Sequence, residues 1–379
     1  MAVKEGEKLI FIVHFSPLEA YPPVMNAIRF LEKKEDHLKI KVFTTASLNK
    51  DFKFTGKNKS VRIIRLGKSG PSASLWNRLY SYFVFNLVTL FQLLIKRPSG
   101  ILYYETISAF APLIYKKWFN RSVKIYVHYH EYTSPSEYEN GMWQVKQFHK
   151  LEKKMYPLVN WISHTNENRM GLFESDNKGI SLPGKQIMPN YPPPEWKEAA
   201  GKKGTSVESS VRVVYVGSMG LSTMYIKEFA GWVNDLKGKI HWDIYSYNAG
   251  EDVINFIKQL NCPFIRLLAP VDYYELPAVL RTYDVGIILY KGYAPNWIYN
   301  IPNKLFEYHV CGLDVWYPSD MISPDRYISE NEFPQIKKLN FERLFDNDPD
   351  KLVNRANKNY RLHDFNADEV LEKLYQKLV

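Results

Sequence analysis

The sequence predicts an α/β fold: two Rossmann-like domains, each built on a parallel sheet, facing across an interdomain cleft. Three observations carry this. Short apolar runs alternate with helical stretches up to about residue 130. The rhythm then breaks at a polar segment, and a second buried strand restarts it at residue 211. Strands that alternate with helices build parallel sheets covered on both faces. A chain of 379 residues also exceeds one ordinary core and suits two domains.

In the first half, residues 8–14, 39–46, 61–66, 100–106 and 123–131 read as buried strands. Residues 21–34, 75–96 and 109–119 read as helices, the first starting after Pro22 and Pro23. The stretch KEAAGKKGTSVESS at 197–210 is small and polar and reads as a linker. Beyond it, strands are expected at 211–219, 241–247, 264–270, 284–290 and 313–318, and helices at 223–236, 250–260, 273–282 and 303–311. The domains are therefore expected at 1–196 and 211–348, joined by a linker at 197–210. A helical tail at 349–379 would pack back on the first domain. Ligands in open α/β sheets bind at the carboxyl ends of the strands, which places the expected site.

The formal charge is +10, from 50 Lys and Arg against 40 Asp and Glu. That balance suits a membrane surface or phosphorylated substrates. No nucleic-acid-binding motif accompanies it, so nucleic acid is not an expected partner. Cys262 and Cys311 are the only cysteines and have no metal-ligand spacing, so neither a disulfide framework nor a metal site is expected. The start, MAVKEGEKLIFIVHF, lacks a signal-peptide apolar core, and a cytoplasmic location is expected. Residues 75–95 are long and apolar enough to suggest a membrane span, but Asn77, Arg78, Asn86 and Gln92 interrupt them. A mostly buried helix is expected there, with an interfacial helix as the alternative.

The most specific motif is IPNKLFEYHVCGLDVWYPSD at 301–320. Pro302 precedes a short helix that Gly312 ends. The helix N-terminus offers free amides and a positive dipole end, so the amides near Asn303, Lys304 and Leu305 suit a diphosphate, with Lys304 adding charge. Glu307, one turn further in, suits hydrogen bonds from ribose hydroxyls. An ordinary helix with a surface Lys and Glu fits the same letters. A second motif, VVYVGSMGLSTMYIKEF at 213–229, runs a buried strand into Gly217, Ser218 and Met219, where glycine permits close backbone approach. A third, VHYHEYTSP at 127–135, ends a strand with His128 and His130 on one face and Glu131 beside them. An imidazole there can donate a hydrogen bond to a sugar or to a departing phosphate. A structural pair of histidines bonded to backbone is the alternative. The first loop, at 14–28, carries Ser16 and the run Tyr21-Pro22-Pro23, and both donor and acceptor binding fit it.

The pattern P-N-K-x-F-E-Y followed by C-G-L resembles the donor-site helix of retaining GT-B glycosyltransferases, the bacterial family 4 or "group 1" enzymes. The resemblance covers most of the chain, with its specific motifs mainly in the second half. It implies that Glu307 binds the donor ribose as the second Glu of an E-x7-E element, whose first position is Tyr299 here. Sugar contacts would then come from the loop 292–300, Asn300 included. It implies that His130 faces the sugar and that Pro270 and Val271 border the nucleotide base. The family's R-x4-K pair is replaced by Ser218 and Thr223, which leaves Lys304, Lys227 or Lys291 to neutralise the diphosphate. The implied activity is transfer from a nucleoside diphosphate sugar, UDP- or GDP-linked, to a glycan or lipid-linked acceptor. Retention, no cofactor and no bound metal are implied, in surface polysaccharide biosynthesis at the inner face of the membrane. A nucleotide-sugar epimerase on the same scaffold and a non-catalytic nucleotide-sugar-binding protein are the alternatives.

Overall fold

The computed structural model describes residues 7–34, 38–47, 52–68, 75–182, 184–200, 210–329, 332–353 and 363–379. The chain forms two compact units, Met1–Pro189 with Ala367–Val379, and Asn190–Asn366. Each is organised around one parallel sheet.

The first unit has seven strands: β1 (Lys8–Val13), β2 (Leu38–Thr44), β3 (Val61–Arg65), β4 (Gly100–Tyr104), β5 (Lys124–Tyr129), β6 (Trp161–His164) and β7 (Gly184–Ile187). They lie in the order β3-β2-β1-β4-β5-β6-β7, all parallel. The central strands β1, β4 and β5 are almost wholly buried, as a sheet covered on both faces demands. The sequence reading did not resolve β6 and β7. They have four residues each, and β7 (GKQI) is a polar edge strand with no apolar run to read. The terminal helix Ala367–Leu378 packs on the helix Pro22–Glu32, with ion pairs Lys33–Asp368 (3.4 Å) and Lys34–Glu372 (3.1 Å) at the seam.

The second unit has six strands: β8 (Val211–Val216), β9 (Ile240–Tyr245), β10 (Ile265–Leu268), β11 (Val285–Ile287), β12 (Asp314–Pro318) and β13 (Ile336–Leu339). Their order is β10-β9-β8-β11-β12-β13, again all parallel. In chain order this repeats the first six strands of the other sheet. Each sheet therefore reverses direction beside its first strand, at β1/β4 and at β8/β11, and those switch points are where such sheets bind ligands.

Three expectations are corrected. Residues 197–200, read as the start of a linker, are part of the helix Glu195–Ala200. Trp196 drives this by burying its ring 4.8 Å from Tyr273, so the segment belongs to the second unit. Residues 201–209 of that linker, and 354–362 of the expected tail, lie outside the described residues. The loop at 292–300 contains a short helix, Pro295–Ile298, started by its proline. The helix Leu75–Lys96 has the expected bounds but is not mostly buried: Trp76, Tyr80, Phe83, Leu87, Phe91 and Ile95 all stand in solvent. Large apolar side chains recur at helical spacing on its outer face, and mean hydropathy does not distinguish one face from another.

Candidate functional site

In the second unit the switch point gathers the predicted donor residues. The helix Asn303–Val310 begins after Pro302, whose extended backbone (φ −69°, ψ 147°) makes it the N-cap. Proline has no side-chain acceptor, and no side chain caps this helix. The Leu305 N–H donates to the Pro302 carbonyl at 3.0 Å, while the Asn303 and Lys304 amides have no hydrogen-bond partner among the described residues and lie at the positive end of the helix dipole. Two glycines seat the helix. At Gly286 in β11 an added Cβ would fall 2.1 Å from Tyr308, so glycine lets that ring lie on the sheet. The Tyr308 hydroxyl then accepts from the Val216 N–H at 3.0 Å, tying the helix to the end of β8. Gly217 has φ 132°, a backbone that suits glycine, and a Cβ there would fall 2.7 Å from Lys304 Cε.

Lys304 therefore lies against the turn after β8. Its Nζ donates to the Tyr290 hydroxyl at 3.3 Å and stands 5.8 Å from both the Tyr215 and Tyr290 ring centroids. Among the described residues no carboxylate lies within 4 Å of it. The other candidate cations are placed differently. Lys291 is paired with Glu228 at 2.9 Å, and Lys227 points outward from its helix. Ser218 is exposed on the turn, whose shape is held by the Tyr215 hydroxyl donating to the Ser218 carbonyl at 2.7 Å. Met219 is buried and bridges to Ala249.

Glu307 is buried, with 6% of its surface exposed. Asn303 Nδ2 donates to its Oε1 at 2.6 Å, and the Tyr273 hydroxyl bonds it as well. Burial raises its pKa, with Asn303, Lys304 and Tyr273 opposing the rise. Pro270 and Val271 precede Tyr273 in the chain, and the Val271 carbonyl accepts from the Tyr247 hydroxyl at 2.5 Å. Tyr299 and Asn300 end the helix Pro295–Ile298, whose Trp297 packs 5.0 Å from Tyr290. Leu305 is fully buried and anchors the helix rather than facing a ligand with its side chain. The acidic run Asp346, Asp348 and Asp350 is used locally: Asp346 pairs with Arg343 and Asp348 caps the helix Pro349–Leu352.

In the first unit the switch point gathers a different chemistry. His130 follows β5 and is buried between rings: Tyr104 is stacked at 5.2 Å, His128 lies edge-on at 4.6 Å and Tyr21 sits at 6.0 Å. His14, at the end of β1, packs edge-on against Tyr21 at 4.7 Å and Tyr104 at 5.6 Å. Both His14 ring nitrogens are buried with no hydrogen-bond partner among the described residues. Burial, then the neighbouring His130, lowers the His14 pKa to about 3. Ser16, in the same loop, hydrogen-bonds the Tyr21 hydroxyl. His128 turns inward to Ser163 Oγ at 2.8 Å, which makes it a structural histidine.

Glu105 holds the cluster together. It follows β4 with φ 62°, a left-handed backbone that costs a residue with a Cβ, and such strain collects at functional sites. Its Oε1 accepts from the His130 N–H at 2.6 Å and from the Glu131 N–H at 3.3 Å. Burial, then Glu131, raises its pKa to about 8, against the pull of those two amides and of Arg169. The buried Arg169 donates from Nη1 to the His130 carbonyl and, at 3.1 Å, to Thr165 Oγ1. Burial lowers it to about 10, so it stays charged at neutral pH. Glu131 itself is exposed beside this framework. Backbone on both sides of His130 is thus held by side chains, with the half-buried acid Glu105 behind it.

The sequence reading named His130, Glu131 and Ser16 but missed His14, Tyr104, Glu105 and Arg169. Their signal is positional: His14 and Glu105 each directly follow a central strand, and Arg169 lies three residues after the helix cap Asn166. Among the described residues no group of His, Cys, Asp and Glu side chains is placed to hold a metal ion.

No protein-family model and no curated protein matches the sequence. Solved structures do match over the whole chain. A sucrose-phosphate synthase from Thermosynechococcus elongatus is 13% identical with a TM-score of 0.66, covering 98% of this chain and 99% of its own. HepE of Anabaena, in complex with UDP and glucose, is 11% identical with a TM-score of 0.64, covering 98% and 99%. A UDP-GlcNAc 2-epimerase from Neisseria meningitidis, bound to UDP-GlcNAc, is 11% identical with a TM-score of 0.60, covering 98% and 99%. At these identities the likeness is one of fold. The chain has the α/β fold of the GT-B class, two Rossmann-like sheets with their covering helices.

Proposed function

We propose that this chain is a glycosyltransferase. It moves a sugar from a nucleoside diphosphate sugar to a glycan or lipid-linked acceptor, with retention and without a bound metal. The observation that carries the reading is Lys304 lying over Gly217 beside the uncapped start of the helix Asn303–Val310. Helix-end amides and one ammonium are what a diphosphate leaving group requires as its charge develops. Support comes from the structures of like fold, among them HepE with UDP and glucose and a starch synthase with ADP and acarbose.

In this reading the bond between the anomeric carbon and the diphosphate oxygen breaks, and the helix start and Lys304 take up the charge. The acceptor hydroxyl attacks from the face the diphosphate leaves, and its proton passes to the departing phosphate. Glu307 and the loop of Pro270 and Val271 hold the nucleoside. The first unit's cluster acts on the sugar and acceptor, with His130 donating a hydrogen bond and Glu105 and Arg169 fixing its backbone. Synthesis of surface polysaccharide in the cytoplasm, at the inner face of the membrane, is the role that fits such acceptors.

An epimerase is the second reading. It is favoured by the UDP-GlcNAc 2-epimerase among the like structures and by the carboxylates Glu105 and Glu131 next to His130. The two separate in one assay. Wild-type protein is incubated with UDP-glucose, UDP-GlcNAc and GDP-mannose, and the products are resolved. Nucleoside diphosphate released with the unepimerised free sugar, water serving as acceptor, and lost in His130→Ala, supports transfer; an epimerised sugar, free or nucleotide-linked, overturns it.

A further inference from the structure

The helix Leu75–Lys96 is built the wrong way round for a soluble surface. Its inner face carries Ser81, Asn86 and Thr89 beside Phe85 and Leu93, all buried. Those polar groups are partly served from within the unit: Ser81 Oγ accepts from the Lys68 N–H at 3.2 Å, and Asn86 Oδ1 accepts from the Ala111 N–H at 3.3 Å. Its outer face carries Trp76, Tyr80, Phe83, Leu87, Phe91 and Ile95, spaced three or four residues apart and each 53–80% exposed. Trp118 and Phe119, on a π-helical turn that packs beside this helix, are exposed as well. A contiguous apolar stripe of that kind marks a binding surface.

Charge identifies the occupant. From Phe52 to His130 the sequence has 13 Lys and Arg and one acidic residue, Glu105; the other 300 residues have 37 against 39. The whole excess of positive charge lies in the segment that holds the stripe. Arg78, Lys96, Arg97, Lys117 and Arg121 are exposed around it. Rings and aliphatic side chains rimmed by Lys and Arg match a bilayer interface with anionic headgroups. The helix is long and apolar enough to cross a membrane, but its inner face is packed on β2 and on the helix Phe110–Ile114. That packing holds it along the protein, in the plane of an interface. We infer that the outer face of Leu75–Lys96, with Trp118 and Phe119, docks the protein on an anionic lipid surface. The inference stands on this surface alone, and it names the partner for the membrane location proposed above.

The test uses the full chain with no donor present, so its result is separate from turnover. Protein is sedimented with vesicles of phosphatidylcholine alone and with 30% phosphatidylglycerol, at low and high salt. Binding is expected to anionic vesicles, weakening with salt, and to fall at least tenfold in Phe83→Ser/Phe91→Ser. Lys117→Glu/Arg121→Glu should abolish the preference for phosphatidylglycerol. The conservative pair Trp76→Phe/Trp118→Phe removes dependence on a tolerated serine: brominated acyl chains should quench wild-type fluorescence and lose that quenching in the pair. Wild-type protein left in the supernatant with anionic vesicles at low salt overturns the inference, as does quenching that survives the pair. A stable dimer that Phe83→Ser/Phe91→Ser dissociates also overturns it, in favour of a second copy on this face.

Discussion

The two sheets run the same strand order, yet their switch points are furnished in opposite ways. Beside β8 and β11 the second unit presents a helix start with two unpaired amides, a glycine turn and an ammonium with no carboxylate within 4 Å among the described residues, all suited to an anion. Beside β1 and β4 the first unit presents packed imidazoles and phenols, with His14 and Tyr104 shifted toward their neutral forms by burial and His130 fixed through its backbone. The same topology supplies position in both cases, and the residues just after the central strands supply the chemistry. The first unit spends its positive charge elsewhere, around the exposed stripe of Leu75–Lys96. A diphosphate needs strong, uncovered charge, whereas a sugar is recognised by flat rings and directed hydrogen bonds. The contrast between the units follows that division.

Four substitutions sharpen or break this contrast. The largest effect is expected in the first unit, where His130→Ala should lower turnover by about 10²–10³ while nucleoside diphosphate affinity holds; equal losses in both would remove the division of labour. In the second unit Lys304→Ala should weaken diphosphate binding by about ten- to hundredfold, as loss of a hydrogen bond to a charged group implies. Gly217→Ala should cost about 1–3 kcal/mol through its backbone and displace Lys304, so melting temperature and nucleotide affinity should fall together. The smallest effect concerns Glu105. Folding raises its carboxyl from 4.5 to about 8, so the folded chain holds a proton the unfolded chain gives up. Its stabilisation is complete below pH 4.5 and is lost as pH rises through 8. Melting curves of Glu105→Gln should match wild type near pH 4.5, exceed it increasingly up to about pH 8 and hold a constant lead above that. A difference that does not vary with pH would contradict the raised carboxyl. His14 and His164, both lowered to about 3, act in the other direction: their stabilisation is present above pH 6.5 and fades as pH falls toward 3.

What could be read from the sequence follows from how local each signal is. The helix at 303–310 was legible because a proline, a lysine and a closing glycine sit within eleven residues of one another. Its neighbours Tyr273 and Tyr290 were not, since only folding brings them to Glu307 and Lys304. Glu105 and Arg169 reach His130 across 25 and 39 residues of chain, and no spacing rule links them. The helix at 75–96 teaches the opposite lesson. Its letters held the answer, because the large apolar residues and the polar Ser81, Asn86 and Thr89 fall on opposite faces, but average hydropathy concealed it. Strands β6, β7 and β13 escaped because WISH, GKQI and IKKL hold few apolar residues, whereas the equally short β10 and β11 lie inside the longer apolar runs 264–270 and 284–290.

The central claim is that Lys304 and the start of the helix Asn303–Val310 grip a diphosphate. Calorimetric titration of UDP, GDP and uridine into wild-type protein and Lys304→Ala tests it most directly. The account predicts that at least one diphosphate binds far more tightly than the bare nucleoside, and that this advantage collapses in Lys304→Ala. A diphosphate that binds the variant as tightly as wild type, or no better than uridine in either protein, would contradict it.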